Sequence, residues 1–279
     1  MSTAAPVFDS LQLHIDRGVV FVTIAHPPIN LVDAALLRQL RHFARWLEGE
    51  ASLRVVVFQS ADPEFFLAHA DLVMIREYGE SPMASAPRTG LAPFNELGER
   101  FRCMDKLSIA QIEGRTRGGG SEFVLGLDMR FAALGKTVLS QPEAALGLMP
   151  GGGATQRLPP LIGRARALEV MLGCDDLSAE DAERWGYINR ALPADQLQDF
   201  VRTLAYRVAS YPAGVIAAIK QAVDLDNRVA DGLLAEERLF ASLVRAPQTL
   251  SNLTRALGRG VQQREAELGD FLKLCEPQP

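Results

Sequence analysis

Two segments of this chain hold residue types that could do chemistry. The first is Gly118-Gly119-Gly120-Ser121-Glu122, a glycine triplet between a strand-like run and a helix-like one. Without a Cβ, the backbone can be approached closely by a ligand. A helix starting there presents unpaired N–H groups and partial positive charge. Together these suit stabilisation of an oxyanion. No Lys-Ser/Thr follows at P-loop spacing, and the run is not GxGxxG. By itself a glycine triplet also marks a tight turn. The second segment is Ser140-Gln141-Pro142-Glu143, followed by Gly147-Leu148-Met149-Pro150-Gly151-Gly152-Gly153. Its glutamate sits among apolar residues just after a strand-like run. Burial would favour the neutral acid, the form that donates a proton. On the surface the same residue would be an ordinary loop glutamate.

The elements that must position these segments read as an α/β core. Leu11 to Ile15 and Val19 to Ile24, joined by Asp16-Arg17-Gly18, form a hairpin. Asp33 N-caps a helix with Leu36, Leu40, Phe43 and Leu47 on one face. Leu53 to Phe58 is nearly continuous in apolar residues, as in a strand covered on both faces. Residues 78 to 93, rich in Gly, Pro and Ser, read as a mobile surface loop. A helix over about Phe94 to Met104 follows, then a strand over Ser108 to Ile112 that leads into the glycines. After them come a helix to about Gly126 and strands at Met129 to Leu134 and Thr137 to Ser140. From about Gly163 the pattern is helical, with Leu168, Met171 and Leu172 on one face. Ser178 caps a short helix with Asp181 at N3. Pro212 opens another, with Ile216, Ile219 and Val223 inward. Strands alternate with helices early and helices dominate late. No repeat of solenoid period is present.

The 279 residues suffice for one large domain, and 48% hydrophobic with 23% charged residues is an ordinary globular balance. A net charge of −5 argues against a general nucleic-acid binder. No apolar run is long enough to span a bilayer, and the N-terminus lacks a signal-peptide pattern, so a cytoplasmic protein is expected. Cys103, Cys174 and Cys275 are far apart and read as free thiols, with no disulfide framework or zinc site.

Taken in register, these motifs resemble the enoyl-CoA hydratase/isomerase (crotonase) family. Ile109 to Leu158 is similar to its signature region, with both the Gly-Gly-Gly-x-Glu and Gln-Pro-Glu elements in order. Gly151 to Leu158, Pro28-Ile29-Asn30 and Phe66-Leu67-Ala68-His69-Ala70-Asp71-Leu72 resemble further family elements, so the likeness spans about residues 8 to 272. It implies a crotonase spiral of β-β-α turns, a ClpP/crotonase-like α/β fold making two roughly perpendicular sheets. Residues 1–200 would form the core carrying the active site, and 201–279 a helical trimerisation region.

The implied substrate is an acyl thioester of coenzyme A, with no bound cofactor and no metal. The implied assembly is a homotrimer or hexamer, with no nucleic-acid or membrane partner. The N–H groups of Ala70 and Gly119 would form the oxyanion hole, and Glu122 and Glu143 would be the two catalytic glutamates. Ala68, His69, Asp71, Leu72, Gly118, Pro142 and Gly151 would line the substrate site. Hydration of a 2-enoyl-CoA to a 3-hydroxyacyl-CoA is the leading activity. Isomerisation, hydrolysis or decarboxylation on the same fold, or a low-activity scaffold or RNA-associated homologue, are the alternatives.

The chain departs from the family at three places. His69 stands where the family has glycine, and histidine tolerates positive φ; its ring could also titrate near the thioester. Arg115 and Arg117 occupy the run-in to the glycines, and one of them is a candidate to pair with an acidic acyl group or a coenzyme A phosphate. Glu64 and Phe65 stand where a lysine is frequent, which would alter recognition of the adenine end. His14, His42, Trp46 and Trp185 read as structural, and Arg255, Arg259 and Arg264 as a basic C-terminal face.

Overall fold

In a computed structural model the described residues are 5–85, 90–212, 214–224 and 229–276. The strands are β1 (Leu11–Asp16), β2 (Val19–Ile24), β3 (Val55–Ser60), β4 (Phe65–Leu67), β5 (Leu107–Ile112), β6 (Arg115–Arg117), β7 (Met129–Ala133), β8 (Val138–Ser140), β9 (Leu177–Ser178) and β10 (Arg190–Leu192). The helices are α1 (Ala34–Gly49), α2 (Leu72–Glu80), α3 (Pro93–Cys103), α4 (Gly118–Leu125), α5 (Ala154–Ile162), α6 (Arg164–Gly173), α7 (Ala179–Trp185), α8 (Ala194–Ala209), α9 (Val215–Val223), α10 (Val229–Val244), α11 (Pro247–Gly258), α12 (Arg264–Glu267) and α13 (Phe271–Cys275).

Two sheets organise the chain: a six-stranded one in the order β1-β2-β3-β5-β7-β10, and a four-stranded one in the order β4-β6-β8-β9. β1 and β2 are the expected antiparallel hairpin, and from β2 onward the large sheet is parallel. Its central strands are covered on both faces, which explains their unbroken apolar runs. Within β3, Val56 and Phe58 face the main core, where Phe58 meets Phe43, Phe101 and Phe123 edge-on at 5.2–5.9 Å between ring centroids. Val55 and Val57 face the opposite way, onto Leu197, Val201 and Ala205 of α8.

The small sheet positions the site. β4, β6 and β8 run parallel, so their C-terminal ends open on one edge. The chain leaves β4 into residues 68–71, leaves β6 directly into the glycine triplet, and leaves β8 into Gln141-Pro142-Glu143. In parallel sheets this carboxyl edge is the usual place for ligands.

Several local expectations hold. Asp33 caps α1 through Leu36 N at 2.7 Å, and Ser178 caps α7 through Asp181 N at 3.1 Å. Others need correction. The expected loop over residues 78–93 is partly helical: α2 continues through Gly79 to Glu80, and Pro82–Ser85 form a 3-10 turn. Residues 86–89 lie outside the described residues. Pro212 does not open its helix, because α9 begins at Val215 after Gly214 at φ +84°. Ile216 points inward, but Ile219 and Val223 are 59% and 79% exposed. They share an outward stripe with Val215, since positions i, i+4 and i+8 fall on one helix face. On α6 Met171 is buried while Leu172 is 69% exposed. The boundary expected at residue 200 falls inside α8.

Candidate active site

The glycine triplet is explained by two close approaches. A Cβ on Gly120 would lie 2.1 Å from the Leu67 carbonyl oxygen, so only glycine lets α4 start against β4. A Cβ on Gly119 would lie 2.9 Å from the Ala70 Cβ and 3.1 Å from the Ala70 nitrogen. The peptide groups of residues 70 and 119 therefore abut. Gly119 is the second residue of α4, where an N–H has no intrahelical acceptor. Ala70 forms a parallel bridge with Val32, in which Val32 N donates to His69 O at 2.9 Å and Asp71 N to Val32 O at 3.1 Å. In that pattern the flanking residues make the bonds and the N–H of Ala70 points away from Val32. Two adjacent backbone donors thus face a common space.

Two carboxyl groups share that space. Glu122 lies on the first turns of α4 and is 5% exposed. Its Oε1 accepts from Gly152 N at 2.7 Å and Ala154 N at 3.1 Å. Glu143 opens a 3-10 turn over Glu143–Leu146. Among the described residues its buried Oε2 has no hydrogen-bond partner. Burial pushes the Glu122 carboxyl up to about 8, the charge of Glu143 adds to the shift, and the two amides oppose it. Burial likewise raises Glu143 to about 8, against its own backbone N–H and with a further push from the charge of Glu236.

These groups line one cavity of about 300 Å³. Ala70, Gly119, Glu122 and Glu143 form one wall, and Val32, Leu37, Met74, Ile75, Phe94, Leu148 and Phe240 make most of the remainder apolar. Removal from water strengthens the electrostatic effect of the amides and carboxyls. The arrangement can stabilise negative charge on a carbonyl oxygen while exchanging protons beside it. No group of His, Cys, Asp and Glu that could hold a metal occurs among the described residues.

Of the residues singled out in the sequence, Ala70, Gly119, Glu122, Glu143 and Gly151 line this cavity. Gly118 and Pro142 stand directly behind it; a Cβ on Gly118 would lie 2.7 Å from Glu143 Oε1. Ala68 is buried with Ile29 and Phe65. Asp71 caps α2 through Val73 N at 2.8 Å, and Leu72 packs in the C-terminal cluster.

His69 and the arginines depart from expectation. The described non-glycine residues with positive φ are Arg17, Asn30, Cys174 and Gln262, so His69 needs no left-handed backbone. Its buried ring is directed to the C-terminal segment, with Nε2 2.7 Å from Glu267 Oε1 and Nδ1 2.8 Å from the Ala70 carbonyl oxygen. Burial would lower the His69 pKa, but the charge and hydrogen bond of Glu267 outweigh it and raise it above the ordinary value. Arg117 is 1% exposed and donates to Asp176 at 2.8 and 2.5 Å. Arg115 donates to Glu64 Oε2 at 2.9 Å and to the Leu268 carbonyl at 3.1 Å. Neither arginine reaches the cavity, so the expected contact of Arg117 with substrate is replaced by an internal ion pair.

The sequence reading expected helix here but did not single out the residues of α10, whose Glu237 and Phe240 line the cavity and whose Glu236 is 1% exposed. The signal was available. Val229, Leu233, Glu236, Phe240 and Val244 follow helical spacing, which places a glutamate within an apolar stripe.

Residues 14–255 match the sequence profile of the enoyl-CoA hydratase/isomerase family. The chain is 32% identical over 212 residues to a carnitinyl-CoA dehydratase of Proteus mirabilis, covering 76% of this chain and 79% of that one. A Mycobacterium tuberculosis protein named for enoyl-CoA hydratase is 28% identical over 238 residues, 84% of this chain and 90% of its own. A crystal structure from Streptomyces avermitilis, also described as an enoyl-CoA hydratase, superimposes with a TM-score of 0.89 at 38% identity. It covers 96% of this chain and 98% of that one.

Proposed function

The chain belongs to the enoyl-CoA hydratase/isomerase family, and on that footing we propose that it hydrates a 2-enoyl-CoA to a 3-hydroxyacyl-CoA. The observation that carries the reading is the asymmetry of the two carboxyl groups. Glu122 accepts two backbone N–H bonds, which favour its ionised form, whereas Glu143 has an oxygen without a partner, which favours the neutral acid. One base and one acid set apart by environment are what hydration requires.

In this reading the thioester carbonyl oxygen accepts from the N–H groups of Ala70 and Gly119. A water lies between the carboxyls. Glu122 takes a proton from it as its oxygen bonds to Cβ, and the π electrons move toward the carbonyl oxygen as an enolate. The two amides stabilise that charge. Collapse of the enolate draws the Glu143 proton to Cα. Glu122 is then protonated and Glu143 ionised, and one proton passed between them restores the start. Dehydration of a 3-hydroxyacyl-CoA is the same path in reverse, and similarity to a carnitinyl-CoA dehydratase supports that direction as well. The acyl chain would occupy the apolar part of the cavity. No cofactor takes part in this scheme. The outward stripe of Val215, Ile219 and Val223 supports self-association, which we assign to a trimer or hexamer.

The test follows the conjugated enoyl-thioester absorbance after crotonyl-CoA is added. Rapid loss in the parent, abolished in Glu122→Gln and in Glu143→Gln, is expected. Binding of crotonyl-CoA without any loss of absorbance would exclude hydration.

A further inference from the structure

The turn into α5 offers a run of backbone N–H groups at residues 152 to 155, and two carboxylates from distant parts of the chain divide it by alternation. Gly152 N and Ala154 N donate to Glu122 Oε1 at 2.7 and 3.1 Å. Gly153 N donates to Glu236 Oε1 at 2.7 Å and Thr155 N to Glu236 Oε2 at 3.2 Å. The Thr155 hydroxyl also donates to Glu236 Oε2. Successive amides thus point to opposite sides, one pair toward the cavity and one pair toward α10. Arg157 steadies the same turn, donating to the Gly152 carbonyl at 3.1 Å and to Glu99 at 2.9 Å.

We propose that Glu236 is a positioning residue for Glu122: by fixing Gly153 and Thr155 it sets the direction in which Gly152 and Ala154 present their N–H groups to the catalytic carboxylate. The inference rests on the hydratase reading for its kinetic consequence and on the hydrogen bonds alone for its geometry. Glu236 is not among the residues that line the cavity. Its influence has two parts. One is mechanical, through the shared amide run. The other is electrostatic: the charges facing Glu236 are Glu122 on α4, Glu143 on the 3-10 turn and Arg157 on α5. Burial and then the charge of Glu122 raise Glu236 to about 8, while Thr155, Gly153 and Arg157 oppose the rise. By the same repulsion, a charge on Glu236 makes Glu122 harder to ionise.

Glu236→Ala and Glu236→Gln separate the two parts. With crotonyl-CoA, Glu236→Ala is expected to lower kcat on the order of 10²-fold through misplacement of Glu122. Affinity for unreactive butyryl-CoA should stay within about threefold, because no substrate contact is lost. Glu236→Gln keeps most of the shape and removes the charge, so the acid limb of the kcat–pH profile should move to lower pH. Folded variants with parental kcat and an unmoved limb would overturn the proposal. If the parent does not hydrate crotonyl-CoA, the reaction assignment fails separately. The proposal is then decided by the ¹³C-carboxyl titration of Glu122, assigned with Glu122→Gln. A downward shift in Glu236→Gln supports it, and an unmoved titration sinks it.

Discussion

The abutment of residues 70 and 119 makes Gly119→Ala the sharpest test of the oxyanion reading. The new Cβ would stand 2.9 Å from the Ala70 Cβ and 3.1 Å from the Ala70 nitrogen, where Gly119 is buried and Ala70 half-buried. Carbon atoms in contact settle at about 3.5–4.0 Å, so the two peptides must part by roughly 0.6–1.1 Å. An oxygen held at about 2.9 Å from both donors would then lie near 3.5 Å or beyond from one of them, where a hydrogen bond is largely lost. Loss of one oxyanion donor costs about 2.7–4 kcal/mol of transition-state stabilisation, or a fall in kcat of about 10²–10³-fold. Overpacking should cost about 1–3 kcal/mol of stability, with Tm lowered by about 2–4 °C for each. The assay is steady-state hydration of crotonyl-CoA beside a thermal melt. Gly49→Ala is the control: a Cβ there meets nothing within 4 Å, so kcat, KM and Tm should all stay near parental. A folded Gly119→Ala enzyme retaining kcat within about threefold of the parent would refute the oxyanion assignment.

Arg117→Ala should lower stability by about 2–3 kcal/mol, since the guanidinium is buried but its partner Asp176 is 38% exposed, and should leave acyl-CoA affinity unchanged. Denaturant melts with acyl-CoA titrations check this, and a tenfold loss of affinity at unchanged stability would return Arg117 to the substrate site. Burial holds the Glu143 proton up to about 8 in the native state, whereas an unfolded chain releases it near 4.5. The stability it contributes is therefore full below about pH 4.5 and lost as pH rises through 8. The stability of Glu143→Gln relative to the parent should grow between pH 6 and pH 9, and a constant difference across paired melts would contradict the raised pKa. For His69 and Glu267 the folded pKa values are raised and lowered respectively. Their mutual stabilisation should be largest between about pH 4.5 and 6.5. It should fade as pH climbs through the His69 value or drops through that of Glu267. A double-mutant cycle of His69→Ala and Glu267→Gln run across pH measures this coupling, and a flat profile would mean that the pair is not ionic.

Much of the site was legible because its constraints are local. The glycine triplet, the Gln-Pro-Glu turn and the apolar run of β3 each answer to contacts that any chain of this kind must satisfy. Elsewhere a residue's partner lies far along the sequence, and there local pattern leaves alternatives open. Arg117 looked available for substrate because Asp176, 59 residues later, is invisible to local pattern. For His69 a ring near the thioester stayed open beside a structural role because Glu267 is 198 residues away. Ile219 and Val223 looked inward because apolar side chains usually are, and only the packing of α9 puts Ile216 in and the other two out. Glu236 carried a readable signal, an acid inside an apolar stripe, but its reason lies in amides 81 and 83 residues earlier.

The tether between the C-terminal segment and the loop after β4 bears on how the enzyme would lose activity. Besides Glu267, Gln262 donates to Asp71 at 2.9 Å and accepts from Leu72 N at 3.2 Å, so the whole loop after β4 is held from a distance. Closing a span of 198 residues carries a length-dependent entropic cost on the order of 5 kcal/mol. Such a closure is made late in folding and released early in local opening. Inactivation should therefore precede the loss of the β-sheets as denaturant rises, leaving a species that looks native by far-ultraviolet circular dichroism and is catalytically silent.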